Sequence, residues 1–324
     1  MKRREFNRCL VSTLFGAVSA LAAVPAAHAQ EFPSRPVELV VTFAAGGGTD
    51  ALARALSDAS RKHLPQPVVV LNKPGASGGI GLTDVANSKP DGYKLALVTA
   101  DMVIIPHLGL TKTTYESFTP IKQLNADPSA ITVAANSPYN TIEEFLDAAR
   151  AKPETMQVGN AGVGSIWHLA AAALEDKTGA KFNHVPFNGG NPAVVSLLGN
   201  HIDAVAVSPA EVIQHVKTGK LKMLAVMADQ RVPGFENVPT LKERNIDLSI
   251  GTWRGIAAPK GTPQPVLDKL DAAFSAAAAE DSLKQFMAAQ NLGYVVADAR
   301  TFSAQMERDN ATFKALIEKF NMRP

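Results

Sequence analysis

Of the 324 residues, 46% are hydrophobic and 19% charged, and 32 Lys plus Arg nearly balance 30 Asp plus Glu, leaving a formal net charge of +2. That profile excludes a disordered chain, which lacks the apolar content to build a core, and a strongly basic nucleic-acid module. A chain of this length has room for about two domains.

Residues 1–29 are read separately. Lys2, Arg3, Arg4 and Arg8 precede an uncharged run from Cys9 to Val24, followed by Pro25 and the small-residue site Ala27-His28-Ala29. This is the pattern of a secretory signal peptide, which places the product in the periplasm. Cleavage after Ala29 removes Cys9, the only cysteine, so neither a disulfide nor a thiol catalyst is expected, and it leaves a net charge of about −1. Arg3-Arg4-Glu5-Phe6 has twin-arginine character, which leaves both export routes open. No second stretch of about 20 apolar residues follows, so a soluble exported protein is expected.

From Val37 the chain alternates β-rich runs with helical segments. Val37 to Phe43 reads as a buried strand, Gly46-Gly47-Gly48 as a turn, and Asp50 to Leu64 as a helix with Leu52, Leu56 and Ala59 on one face. Val68 to Leu71 and Leu95 to Thr99 read as further strands, with a glycine-rich loop and a helix to about Asn87 between them. Repeated strand and helix units predict a parallel sheet covered on both faces.

A second series starts near Ile131. Thr141-Ile142-Glu143-Glu144 is a capping box, Gln157 to Asn160 a strand, and Gly162-Val163-Gly164-Ser165 leads into a helix to about Thr178. Asn191-Pro192 and Ser208-Pro209 each place a cap residue before a proline suited to a first helical turn, with Glu211 completing another capping box. Ile202 to Val207 and Leu221 to Val226 are strands. The β-like run Ile250 to Ala258 and the helices Pro263 to Ala279 and Arg300 to Phe320 return to cover the first sheet, so the chain crosses twice between two α/β domains. The expected division is residues 31–125 plus 254–324 in domain 1 and 126–253 in domain 2.

Two loops share one design, at Phe43 to Asp50 and Asn160 to His168: a strand ends in glycines whose next residues enter a helix. Such a loop aims unpaired N–H groups at one point, and the helix N-terminus adds partial positive charge, so it holds an anion without Arg or Lys. Taken singly, either loop reads more simply as a tight turn; as a pair they point to binding. Neither carries Gly-Lys-Ser/Thr or a third dinucleotide glycine, which excludes the common nucleotide motifs. Gly75-Ala76-Ser77-Gly78-Gly79 matches Gly-x-Ser-x-Gly formally, but Asn72-Lys73-Pro74 separates it from the preceding strand, unlike a nucleophile elbow. His63, His107, His168, His184, His201 and His215 are scattered without metal-ligand spacing, so no metal and no cofactor is expected. His168, in the first turn after Gly164-Ser165, either fixes its loop by a hydrogen bond or reaches ligand.

The residues as a set resemble the periplasmic solute receptors of tripartite tricarboxylate transporters, the Bug receptors, over nearly the whole mature chain. The likeness rests on Pro33-Ser34-Arg35-Pro36-Val37, Phe43-Ala44-Ala45-Gly46-Gly47-Gly48-Thr49-Asp50, Asn72-Lys73-Pro74-Gly75-Ala76-Ser77-Gly78-Gly79, Pro90-Asp91-Gly92-Tyr93, Asn160-Ala161-Gly162-Val163-Gly164-Ser165 with His168, His184-Val185-Pro186-Phe187-Asn188-Gly189 and Trp253-Arg254-Gly255. The resemblance implies a two-lobed, type II-like periplasmic binding protein with two crossovers, monomeric, which closes on a small organic carboxylate and hands it to membrane permease subunits. It implies no enzymatic activity, no catalytic residues and no nucleic-acid partner. Carried onto this chain, the first loop gives Ala45, Gly47, Gly48 and Thr49, and the second Gly164, Ser165 and His168, holding ligand through backbone N–H groups and waters. Ala45 stands where the family often has proline. Members accept dicarboxylates, amino acids, aromatic acids and uncharged relatives, so the family alone does not name the ligand.

Three further residues join the candidate site. Asn188 and Ser208 lie near the ends of predicted strands, where α/β sheets bind ligands, and otherwise serve a turn and a helix cap. Trp253, at the second crossing, is either an apolar wall of the cleft or ordinary packing between domains. Asp50 reads as a first-turn residue favoured by the helix dipole, and as a partner for an amino or hydroxyl group if the ligand carries one. A ligand sensor docking to a signalling protein shares all this chemistry, whereas a secreted enzyme in the same cleft lacks an evident acid, base or nucleophile beyond Ser165 and His168.

Overall fold

The structure is a computed structural model that describes residues 32–320 and Met322; the leader assigned to residues 1–29 lies outside them. The chain divides after Ser34 into an N-terminal unit, of which only residues 32–34 are described, and a body from Arg35 onward.

Its first strand, β1 (Val37–Val41), is buried along most of its length and lies between β2 (Val68–Asn72) and β3 (Lys94–Thr99), parallel to both, with Val37 opposite Val68 and Glu38 opposite Lys94. Parallel neighbours need long crossovers, and these are α1 (Gly48–Ser60) and α2 (Gly79–Ala86). In α1, Leu52, Ala53, Leu56 and Ala59 are buried, the spacing of one helical face. The helix starts two residues earlier than Asp50 because Gly47, with φ −85° and ψ 173°, is its N-cap.

The main departure from expectation is β4 (Phe118–Ala134), a strand of 17 residues where the second series was placed near Ile131. Pro120, Pro128 and the polar Lys122, Gln123, Asn125 and Asp127 disguise it in the sequence, since proline cannot donate to a ladder. The ladder accommodates this segment with register shifts between Pro120 and Lys122 and between Gln123 and Asn125. Along its first part β4 pairs antiparallel with β9 (Gly251–Pro259), and along its last part with β7 (Ala204–Val207) and β8 (Leu221–Met227). β9 also pairs antiparallel with β3, so the sheet is mixed rather than parallel throughout. Its order is β2-β1-β3-β9-β4-β7-β5-β6, with β5 (Met156–Asn160) parallel to β6 (Phe182–Pro186) and to β7. β4 and β9 thus form a seam with β3, β1 and β2 on one side and β7, β5 and β6 on the other.

Helices α3 (Ile142–Ala151), α4 (Ile166–Thr178), α5 (Gly190–Leu198) and α6 (Pro209–Lys217) belong to the second half of the sheet. The Thr141 hydroxyl caps α3, accepting the Glu144 N–H at 3.2 Å, while Glu144 accepts the N–H of Asn140 rather than that of Thr141. Two cap assignments are corrected. Gly189, not Asn191, caps α5. Ser208 does cap α6 with Pro209 behind it, but it makes no side-chain cap bond, and Glu211 turns away instead of closing a capping box.

The C-terminal segment adds α7 (Gln264–Ala279), α8 (Asp281–Ala289), β10 (Tyr294–Asp298) and α9 (Ala299–Lys319). Neither α8 nor β10 is among the elements the sequence predicts; β10 pairs antiparallel with β4, Tyr294 opposite Asn125. α7 packs on α1, and α9 lies on β4. Among the described residues no helix is long and apolar enough to cross a membrane.

The seam tolerates little added volume. A Cβ on Gly255 would lie 2.4 Å from the ring of the fully buried Phe302 of α9 and 2.6 Å from the Lys122 carbonyl oxygen. Gly255→Ala is therefore expected to destabilise the protein by about 1–3 kcal/mol, read as a melting temperature several degrees lower by circular dichroism. An unchanged transition would contradict this packing.

Candidate functional site

The first glycine loop is shaped by Asp50. Its carboxylate accepts the N–H of Gly46 at 2.9 Å, where φ is +87°, and also accepts from Arg54 and from the Asn72 amide at 3.0 Å. Burial opposes ionisation of Asp50, but the hydrogen bonds from Arg54, Gly46 and Asn72 outweigh it and hold its carboxyl below the usual range. Asp50 is thus fully committed to the loop, the first-turn role rather than that of a ligand contact.

The second loop is built by short-range bonds of its own. Asn160 Oδ1 accepts the Gly162 N–H, the Ser165 hydroxyl accepts the His168 N–H at 3.2 Å, and His168 Nδ1 accepts the Gly164 N–H at 3.0 Å. Gly162 and Gly164 have φ of +130° and +72°, where only glycine is at ease. A Cβ on Gly164 would also strike Leu108 Cδ1 at 2.0 Å. His168 therefore takes the first of its two readings, a structural hydrogen bond, and its ring packs edge-on against His184 at 4.5 Å.

The loops face each other across a narrow cleft, and the contacts that shut it are polar. The Ala44 N–H donates to the Asn188 carbonyl at 3.1 Å, the Asn191 amide to the Ala45 carbonyl at 3.3 Å, and the Ser77 hydroxyl to the Val163 carbonyl at 2.6 Å. Ser77, the formal match to a hydrolase serine, is engaged in this bridge. At the N-terminus of α4 the Ile166 N–H donates to Asp101 Oδ1 at 2.9 Å, and at the N-terminus of α1 the Gly48 N–H donates to the Glu211 carboxylate. Between these elements lies a cavity of about 20 Å³ lined by Phe43, Gly47, Thr49, Asp101, Glu211 and Arg254, among others.

Beneath the cavity is a sealed polar cluster. Arg254, 1% exposed, donates from Nε to the Thr49 hydroxyl at 2.9 Å and from Nη1 to Asn125 and Asp127. Burial raises the pKa of Asp101 and of Glu211, and in both Arg254 counteracts part of that rise. Glu211 is only partly buried as a residue, yet its Oε2 is cut off from solvent and unpaired.

The predicted site residues divide accordingly. Gly47 and Thr49 line the cavity and Gly48 bonds Glu211, whereas Ala45 is exposed on the outer side of its loop. Gly164 and the buried Ser165 shape the second loop. The Asn188 carbonyl closes the cleft from outside, while the residue borders a wider groove with Ser77, Val163 and Phe187. Ser208 is buried with its hydroxyl unpaired and lines none of these cavities. Trp253 is not a cleft wall: it donates to Asp309 at 2.7 Å and meets Phe302 edge-on at 5.0 Å, both on α9. Alternation along β9 turns Trp253 to α9 and its neighbours Thr252 and Arg254 to the cavity. Asp101, Glu211, Arg254 and Trp167 are among the lining residues the sequence did not reveal. Among the described residues no three His, Cys, Asp or Glu side chains gather as a metal site.

Comparison with known proteins agrees with this architecture. The profile of the tripartite tricarboxylate transporter family receptor matches residues 52–322. A TctC solute binding protein from Polaromonas, solved with no ligand, is 58% identical, with 89% of this chain and 99% of that chain covered and a TM-score of 0.67. The periplasmic binding protein BugD is 33% identical, with coverage of 90% and 99% and a TM-score of 0.87. MatC from Rhodopseudomonas palustris, with bound malate, is 27% identical, with coverage of 88% and 100% and a TM-score of 0.83.

The second loop carries a pH signature. Burial, helped by the neighbouring His184, lowers the pKa of His168 to about 4. A folded-state value below the unfolded one means full stability above about pH 6.5 and progressive loss between there and pH 4, as the unfolded chain alone binds the proton. Relative to His168→Gln, the wild type is expected to lose roughly 2 kcal/mol between pH 7 and pH 4.5. Urea unfolding of both proteins checks this; a difference that does not change with pH would contradict it.

Proposed function

The chain belongs to the tripartite tricarboxylate transporter receptor family, and on that premise we propose that it captures a small organic acid between two lobes and delivers it to membrane permease subunits. Membership makes it a solute receptor of the periplasmic binding protein type and not an enzyme. The proposed lobes are residues 31–125 with 254–324, and residues 126–253, moving about the seam of β4 and β9. The proposed route to the periplasm is export behind the leader that ends at Ala29.

One observation carries this reading: two glycine-led helix N-termini, of α1 and α4, meet across one cleft and each already receives a carboxylate oxygen. Helix N-termini favour anions through unpaired N–H groups and the helix dipole, so the same positions suit a ligand carboxylate. The direct bonds across the cleft leave room for little more than a water, so a ligand requires the lobes to part. A hinge is supported by the relatives: the more identical Polaromonas protein, solved with no ligand, superposes less well than malate-bound MatC. Malate in MatC also supports a small carboxylate as ligand here.

Thermal-shift screening of the processed protein against dicarboxylates, amino acids and aromatic acids should find compounds that raise the melting temperature, because ligand binding only the folded state adds RT ln(1 + [L]/Kd). Gly47→Val should abolish that shift while the protein remains folded, since a Cβ there already lies 3.0 Å from Glu211 Oε2 and valine adds two methyls at the cavity wall. Retention of the shift in Gly47→Val, or no stabilising acid at all, would overturn the proposed site.

A further inference from the structure

We propose that Glu211 is a displaceable stand-in for ligand: its carboxyl group occupies the seat on the first glycine loop that a ligand carboxylate takes, and the arriving carboxylate is held there by the Gly48 N–H and by Nη2 of Arg254. The inference rests on the receptor reading above and deepens it, naming the side chain that grips the acid and the side chain that must leave.

The seat already has the shape of a carboxylate site. Gly48 opens α1, and its N–H donates to the Glu211 carboxyl group. A Cβ on Gly47 would lie 3.0 Å from Glu211 Oε2, and one on Gly48 would lie 3.4 Å from Glu211 Oε1 and 3.3 Å from Arg254 Nη2. Two residues without side chains thus let one carboxyl group lie against the loop backbone at a helix N-terminus, beside a guanidinium.

Arg254 is prepared to receive an anion. Its Nε is bonded to Thr49 and its Nη1 to Asn125 and Asp127, which fixes the plane of a side chain that is 1% exposed. Among the described residues Nη2 has no hydrogen-bond partner, and Arg254 lines the cavity. A guanidinium held on two sides with its third nitrogen free binds a carboxylate with little further ordering of its own chain.

Of the two carboxyl groups that line the cavity, Glu211 is the one able to leave. Asp101 uses both oxygens, Oδ1 on the Ile166 N–H at 2.9 Å and Oδ2 on the Thr99 hydroxyl at 2.6 Å, and is buried. Glu211 holds the Gly48 N–H, and its Oε2 has no partner. It also stands between two spaces, because besides the inner cavity of about 20 Å³ it borders an outer one of about 130 Å³ with Asn191, Gln214 and His215. That outer space has room for the displaced side chain, and the amides of Asn191 and Gln214 offer it donors. Glu211 belongs to α6 whereas the seat belongs to α1 and β9, so opening of the proposed hinge draws the stand-in away. Burial pushes the Glu211 carboxyl toward its neutral form, so an ionised ligand carboxylate interacts more strongly with the guanidinium and the helix dipole and takes the seat.

Calorimetric titration of the processed wild type and of Glu211→Ala with succinate, malate, glutarate, adipate, glutamate and benzoate tests this, together with a crystal structure of the wild type bound to the tightest of them. With the competitor gone, Glu211→Ala should bind that acid about tenfold tighter, since the closed form no longer exchanges one charge-assisted bond for another. The crystal structure should place a ligand carboxylate oxygen within hydrogen-bond distance of the Gly48 nitrogen and of Arg254 Nη2, with the Glu211 side chain turned toward Asn191 and Gln214. Equal or weaker binding by the folded variant, or Glu211 still seated on Gly48 beside bound acid, overturns this inference and leaves the receptor reading standing. The crystal structure decides the matter alone if the variant does not fold. Failure of all six acids to bind the folded wild type overturns the small-carboxylate reading and this inference with it.

Discussion

The buried guanidinium of Arg254 is the point from which the rest of the site hangs. It reaches from β9 to Asn125 and Asp127 on β4 and to Thr49 in the first turn of α1, joining the seam of the sheet to the first glycine loop. Burying a charge pair is costly, and such a pair adds little net stability compared with apolar packing. Removing one partner is another matter, because the remaining charge is stranded, at a cost of about 3–5 kcal/mol. The arrangement therefore specifies geometry more than it stabilises the fold: with Arg254 fixed, the α1 N-terminus is aimed across the cleft at α4, α5 and α6.

Two kinds of contact join the halves of the sheet, and they differ in strength. At the seam, β4 and β9 share a long ladder with two register shifts, from Phe118 opposite Pro259 to Pro128 opposite Gly251, backed by α9 through Phe302 and its contact with Trp253. Across the cleft there are single hydrogen bonds at Ala44, Ser77, Asn191, Ile166 and Gly48. A hydrogen bond that exchanges with water contributes only about 0.5–1.5 kcal/mol net. In the proposed hinge, the cleft is thus the side that opens while the seam holds. A ligand that touches both glycine loops then shifts the population by its differential affinity for the closed form.

The sequence displayed the local part of this design well. Glycines after Phe43 and after Asn160, each followed by an amphipathic or alanine-rich helix, announced the strand, loop and helix units, because turn chemistry and apolar spacing are local signals. It hid β4, whose prolines and polar residues read as a connection although they lie in a 17-residue strand. It also hid most of the cavity wall. Asp101, Glu211 and Arg254 act through partners some 65 to 205 positions away, such as Ile166 and Thr49, and no local pattern encodes such pairings. One signal was available: a lone arginine inside the apolar run Gly251–Pro259 has to find buried partners. Strand alternation then assigns the cavity to Arg254 and turns Trp253 to α9, the packing role that the sequence left open beside that of a cleft wall.

The central claim is that the protein is a receptor whose two halves close about the β4 and β9 seam. Small-angle X-ray scattering on the processed protein, with and without a saturating ligand identified by calorimetry, tests it most directly. The account predicts a smaller radius of gyration and a more compact distance distribution when ligand is bound. Superimposable profiles, at concentrations where calorimetry shows full occupancy, would contradict it.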